Sequence, residues 1–220
     1  MRFIALLISF ISLPIFAHAQ TVDIIYESGT YTPPFYQGLP LWSRQSEITF
    51  TAIMTGVANP KSLYYLWSRD GTVLGLVSGQ GRDTLSFFDA IFSKPKTIKV
   101  EVSTPSEEIL AEASITLTPR EPELLVYENN PLYGYMFHKE VGESHQMQGE
   151  EVTFTAFPLF FSALSRDYPI KYSWGESSIT YRVPEGGGGT ASSLIEAANP
   201  EFIRQTARKS FTIKFSQADE

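Results

Sequence analysis

The sequence predicts an all-β chain of two tandem antiparallel β-sandwiches, on three observations: apolar and polar residues alternate with period two over short runs, turn residues punctuate those runs, and the second half repeats landmarks of the first. Ile48, Phe50 and Ala52 alternate with Thr49 and Thr51; Ile98, Val100 and Val102 with Lys99, Glu101 and Ser103; Ala113, Ile115 and Leu117 with Ser114, Thr116 and Thr118. Each run reads as a strand with one face in a core and the other in water. Asn59-Pro60, Asp70-Gly71, Gly79-Gln80-Gly81, Lys94-Pro95 and Pro105-Ser106 supply the turns between them.

At the N-terminus, Arg2 precedes an apolar run from Phe3 to Phe16, followed by Ala17-His18-Ala19 before Gln20. A basic start, a short apolar stretch and an A-x-A pattern describe a secretory signal peptide over residues 1–19. The run is short for a bilayer crossing and contains Pro14, so cleavage and export outweigh a membrane span. With no Cys near the cleavage site and a polar end at Gln217-Ala218-Asp219-Glu220, the expected mature chain is secreted, periplasmic or displayed at the cell surface, without membrane insertion after cleavage. The roughly 200 remaining residues suit two sandwiches of about 100 each, expected over residues 20–119 and 120–220.

Composition narrows the function classes. The chain has no Cys, so burial rather than disulfides must hold each module. Hydrophobic residues make up 43% of the chain, enough for two cores. The net charge of -7, which becomes more negative once Arg2 is removed, offers no basic stripe for nucleic acid and no attraction to anionic lipid.

The duplication is read from ordered landmarks. Glu47-Ile48-Thr49-Phe50-Thr51-Ala52 returns as Glu151-Val152-Thr153-Phe154-Thr155-Ala156, and Tyr65-Leu66-Trp67 as Tyr172-Ser173-Trp174. Ser114-Ile115-Thr116-Leu117 returns as Ser210-Phe211-Thr212-Ile213, and Tyr26-Glu27 as Tyr127-Glu128. Two prolines bracket the join at Pro119-Arg120-Glu121-Pro122, a linker too short for free tumbling. A semi-rigid, end-to-end rod is the expected shape.

Trp67 and Trp174, each two residues after a Tyr, are expected in mid-strand as core residues between the sheets, a reading that outweighs an aromatic platform for ligand. The Tyr-x-Trp strand leading into Arg69-Asp70-Gly71, then Gly79, Gly81 and Thr84-Leu85-Ser86-Phe87, then Thr97-Ile98-Lys99-Val100-Glu101-Val102, resembles a PKD-like or related immunoglobulin-like surface module of exported bacterial proteins. The second copy departs from that pattern, since Gly175-Glu176 follows Trp174. The resemblance implies a noncatalytic interaction or spacer module whose partner is a protein or glycan of the cell envelope. It implies no catalytic residue and no cofactor.

Candidate binding residues are aromatic. Residues 31–42 hold Tyr31, Phe35, Tyr36 and Trp42 among prolines, and residues 133–137 hold Tyr133, Tyr135 and Phe137. A stiff Pro-rich backbone loses little entropy when its rings bind a ligand, which makes Tyr31, Phe35, Tyr36, Tyr133 and Tyr135 the candidate ligand-binding set and a carbohydrate-binding protein the alternative function. Against that stands a lead-in segment pinning its rings over the end of its own sandwich. Phe157, Leu159, Phe160 and Phe161 form a third apolar cluster, readable as an interdomain plug or a partner-facing patch.

Other chemistry has weak signals. His138, Glu140, Glu143 and His145 match no standard zinc spacing, and Asp70, Asp83 and Asp89 no calcium loop. Gly186 to Gly189 lack the Lys-Ser or Lys-Thr of a phosphate loop and read as a hairpin tip. A hydrolase with an acidic pair is the second alternative, and it would need a deep cleft.

Overall fold

The computed structural model describes residues 20–162 and 170–215. The expected signal peptide over residues 1–19 and the polar C-terminal residues lie outside the described residues.

In chain order the strands are β1 (Thr21–Ser28), β2 (Thr30–Tyr31), β3 (Glu47–Thr55), β4 (Tyr64–Arg69), β5 (Thr72–Val73), β6 (Gly79–Gln80), β7 (Thr84–Phe88), β8 (Lys96–Ser103) and β9 (Ile109–Leu117). They continue with β10 (Glu123–Asn130), β11 (Gly134–Glu140), β12 (Ser144–Gln146), β13 (Glu151–Leu159), β14 (Phe161–Ser162), β15 (Lys171–Tyr172), β16 (Ser178–Arg182), β17 (Thr190–Ala198) and β18 (Thr206–Lys214). Only two short 3-10 turns, at Pro60–Ser62 and Gly75–Val77, interrupt the β structure among the described residues.

The chain is all-β, and its strands form two β-sandwiches in tandem, antiparallel except where β12 runs parallel to β18. In the first, the sheet β1-β3-β7 faces β5-β4-β8-β9, with β6 added to β4. In the second, β11-β10-β13-β16 faces β12-β18-β17-β15. The alternating strands pair as period two requires: β8 holds Ile98, Val100 and Val102 opposite Arg69, Trp67 and Tyr65 of β4. All three β8 residues are fully buried, as are Ile48 and Trp67.

Two separate cores result. The first gathers Val22, Trp42, Ile48, Phe50, Leu63, Tyr65, Trp67, Leu85 and the β8 valines; the second gathers Leu124, Val126, Met147, Phe154, Phe161, Ile195, Phe211 and Ile213. Asp70 (φ 51) and Gly71 (φ 81) close the β4–β5 hairpin in the left-handed geometry that a two-residue turn needs, and Asp70 Oδ1 accepts the Thr97 N–H at 2.8 Å.

The two copies diverge at their tryptophans and their connections. Trp67 sits in β4 with no exposure, its indole N–H donating to the Arg82 carbonyl at 2.8 Å. Trp174 falls instead in the turn after β15, because Gly175 (φ 88) bends the chain away after only two residues pair with β17. It is half-buried against the margin of the second core, and its indole N–H donates to the Leu194 carbonyl at 3.0 Å. The Gly186–Gly189 run is not a hairpin tip: it links β16 in one sheet to β17 in the other, with four consecutive positive φ values that only glycine adopts cheaply.

The burial difference gives a testable asymmetry. Trp67→Ala is expected to cost about 3–5 kcal/mol and Trp174→Ala roughly 1–2 kcal/mol, measured as the change in urea midpoint at constant m-value.

Candidate functional site

Of the residues singled out as a binding surface, Tyr31, Phe35, Tyr36 and Tyr135 converge on the junction between the sandwiches, and Tyr133 does not. After β1 the chain does not return directly to its own sheet. Residues 29–46 cross to the second sandwich and back before β3 begins, and β2 pairs antiparallel with β14, Tyr31 opposite Phe161 and Thr30 opposite Ser162. The Phe160 N–H donates to the Tyr31 carbonyl at 2.8 Å.

Phe35, carried by this crossing segment, lies among rings on the outer face of the β11-β10-β13-β16 sheet. Its centroid is 4.2 Å from Phe137 in a stack, and 5.0 and 5.7 Å from Phe157 and Tyr127 edge-on. Tyr36 meets Phe160 edge-on at 5.7 Å. Its ring also lies over Gly38, where a Cβ would come 2.5 Å from the phenol oxygen, so a larger residue there would push the Tyr36 ring aside. The segment thus covers the neighbouring sandwich rather than the end of its own, because the rings of Tyr127, Phe137 and Phe157 on that outer face would otherwise stand in water. Trp42 alone returns to the first core, 3% exposed and edge-on to Phe87. Phe160 is buried against Tyr36 at this junction, whereas Phe161 belongs to the second core.

Polar groups complete the clasp. Gln205, fully buried, accepts the Ser162 N–H at 2.6 Å through Oε1 and donates through Nε2 to Ser43 Oγ at 2.9 Å and to the Arg44 carbonyl. The Arg204 N–H donates to Gln45 Oε1 at 2.8 Å, the Arg120 N–H to the Trp42 carbonyl at 2.8 Å, and Arg44 pairs with Glu121 at 2.7 Å. Phe88 meets Phe202 at 5.3 Å across the same junction. Holding Phe160 at φ 62 costs about 1–3 kcal/mol, which burial of one phenylalanine at about 1.5–3 kcal/mol offsets.

Beside the clasp lies a cleft of about 380 Å³ lined by Tyr31, Tyr135, Thr155, Phe157, Pro158, Ile170, Tyr172 and Ser177. Tyr31 comes from the first sandwich's crossing segment and the others from the second. Tyr31 and Tyr135 are 40% and 44% exposed, and Tyr135 is braced edge-on by Phe157 at 5.2 Å. Burial, with Tyr31 nearby, pushes the Tyr172 phenol up to about 12, so it stays a neutral donor. Of the candidate set, Tyr31 and Tyr135 share this cleft, Phe35 and Tyr36 are engaged in the clasp, and Tyr133, 77% exposed, lines a different depression. Tyr172 enters the cleft unheralded, since its only signal in sequence was its place in the repeated Tyr-x-Trp.

That second depression, about 450 Å³, is polar and is lined by Glu128, His138, Glu140 and His145 among others. His145 Nε2 lies 3.4 Å from Glu128 and its ring meets Phe154 edge-on; burial lowers its pKa, with Glu128 opposing. Glu140 pairs with Lys209. Among the described residues no three His, Asp or Glu side chains are grouped to hold a metal ion. Asp83 pairs with Lys61 at 2.7 Å, and Asp89 is buried with neither carboxylate oxygen well hydrogen-bonded.

No protein-family model matches the chain, and no curated relative matches it at a significant level. Among solved structures it is similar to the three N-terminal domains of the bacteriophage RB49 Highly Immunogenic Outer Capsid protein (Hoc), with TM-score 0.46 and 17% identity over 89% of this chain and 59% of that one. It is also similar to fibronectin(III)-like modules of Clostridium thermocellum CbhA, with TM-score 0.33 and 12% identity over 89% and 95%. The chain therefore spans about 59% of the length of the Hoc structure.

Asp89 generates a pH test. Burial pushes its carboxyl up, while Ser93, the Ala90 N–H, Lys96 and Arg44 pull it back. The folded chain holds this proton more tightly than the unfolded one, so the group favours folding below its ordinary pKa of about 4 and loses that contribution as pH rises through the raised value. Asp89→Asn is expected to raise the urea midpoint near pH 7 and to leave it nearly unchanged near pH 3.

Proposed function

We propose that this chain is a noncatalytic extracytoplasmic module pair that acts as a spacer of fixed geometry and presents an interaction surface to a protein or glycan of the cell envelope. The observation that carries the reading is the clasp: residues 29–46 of the first sandwich are strand-paired, ring-packed and hydrogen-bonded to the second. Tandem sandwiches joined only by a linker would pivot. Here residues 118–122 join β9 to β10, and Arg120 within them is itself bonded to Trp42.

The noncatalytic reading is supported by what the ionisable groups do. Asp70 holds a hairpin, Asp83 an exposed ion pair, Glu140 another, and His145 leans on Glu128. Export rests on Arg2, the apolar run and Ala17-His18-Ala19. The immunoglobulin-like strand order suits adhesion or spacing, and PKD-like membership remains part of the proposal.

Two measurements test this. In 15N relaxation the parent chain is expected to tumble as one body, whereas Phe35→Ala combined with Gln205→Ala frees the sandwiches, shortens their correlation times and lowers stability by about 2–4 kcal/mol; independent tumbling in the parent would end the fixed-spacer reading. For export, the full chain fused at its C-terminus to alkaline phosphatase is expected to give enzyme activity that Ala17→Arg with Ala19→Arg abolishes or leaves unprocessed. An inactive parent fusion would remove the extracytoplasmic assignment.

A further inference from the structure

We infer that the cleft between β2 and the second sandwich is a binding site for an uncharged saccharide, an inference that rests on the reading of the chain as a noncatalytic recognition module and names its ligand class. The chemistry of the walls points there. The described residues lining the cleft are Tyr31, Tyr135, Tyr172, Phe157, Pro158, Ile170, Thr155, Ala156 and Ser177, and none of these carries a formal charge. Against these side chains a charged ligand would find no counter-charge, at a desolvation cost that none of them repays. A purely aliphatic ligand would leave the phenol hydroxyls on the walls without partners. A sugar ring satisfies both demands, because its C–H face lies on aromatic rings while its hydroxyls exchange hydrogen bonds with phenols and alcohols.

The cleft is also pre-formed. Tyr135 is held by Phe157 at 5.2 Å and by Phe137 at 5.4 Å, so its ring is already ordered before a ligand arrives. Tyr31 is fixed by the pairing of β2 with β14. At about 380 Å³ the cleft lies at the small end of ligand sites, the scale of a short stretch of a glycan rather than a protein surface. One wall comes from the first sandwich and the rest from the second, so clasping the sandwiches builds the site.

The test uses the full chain purified after export, titrated by calorimetry with millimolar neutral hexasaccharides of the gluco, manno, galacto and N-acetylglucosamine series, and separately with a polyproline decapeptide. At least one saccharide is expected to bind with an affinity that does not change with salt. Tyr31→Ala and Tyr135→Ala, one from each sandwich, are each expected to weaken binding about tenfold, while Tyr31→Phe and Tyr135→Phe keep most of it. Tyr133→Ala, outside the cleft, is expected to bind as the parent does, and thermal unfolding checks that each variant is folded. Failure of every saccharide to bind, binding unaffected by both alanine variants, or binding of the polyproline peptide in place of sugar would each overturn the assignment. Those results leave the relaxation data untouched, so loss of this inference is distinguishable from loss of the fixed-spacer reading.

Discussion

The side-chain amide of Gln205 is the constraint around which the two sandwiches are organised. It is fully buried and bonded at both ends, taking the Ser162 N–H while donating to Ser43 and the Arg44 carbonyl. A buried amide left half-satisfied is worse than an apolar residue in its place, so this group tolerates only the arrangement in which residues 43–44 of the first sandwich and residue 162 of the second meet. The bridge from Ser43 to Arg120 and the Arg44–Glu121 pair follow from that meeting.

A second consequence concerns the sheet β11-β10-β13-β16, whose outer face is aromatic toward β10 and β11 and polar where Glu151 meets Arg182 and Thr153 meets Thr180. Its inner face supplies Val126, Phe154 and Ala156 to the core, and its outer face carries Tyr127, Tyr135, Phe137 and Phe157. Antiparallel sheets commonly leave one face in water. Here the crossing segment, with Phe35 at its centre, covers part of the outer face. Pro158 fits within this sheet because it lies beyond the last β16 partner, Thr155 opposite Ser178, so its missing N–H removes no ladder bond. The aromatic surface left beside the segment becomes the wall of the cleft.

The duplicated design has been spent differently in the two copies. In the second copy the stretch between the first two core strands β10 and β13 folds back as β11 and then runs parallel to β18 as β12. In the first copy the corresponding stretch leaves as β2 and the clasp. The same connection thus finishes one sandwich and fastens the other to it.

Much of the architecture was legible in the sequence, because strand formation and facing depend on local alternation: Ile98, Val100 and Val102 point inward wherever β8 goes, and Asp70-Gly71 closes its hairpin from two residues alone. Aromatic density at residues 31–42 and 133–137 did not say which rings are neighbours. Phe35 and Tyr36 read like Tyr31 in sequence, yet their partners, Phe137 and Phe160, lie more than 100 positions away. Gln205 carried no local signal, since nothing around a glutamine announces an acceptor 162 residues back at Ser43. By itself the sequence determined two β-sandwiches and their turns, because period-two burial is written residue by residue; only the tertiary structure decided that the first sandwich's loop would close on the second and leave a tyrosine cleft beside it, because that choice rests on long-range complementarity of the aromatic part of a sheet face and a buried amide.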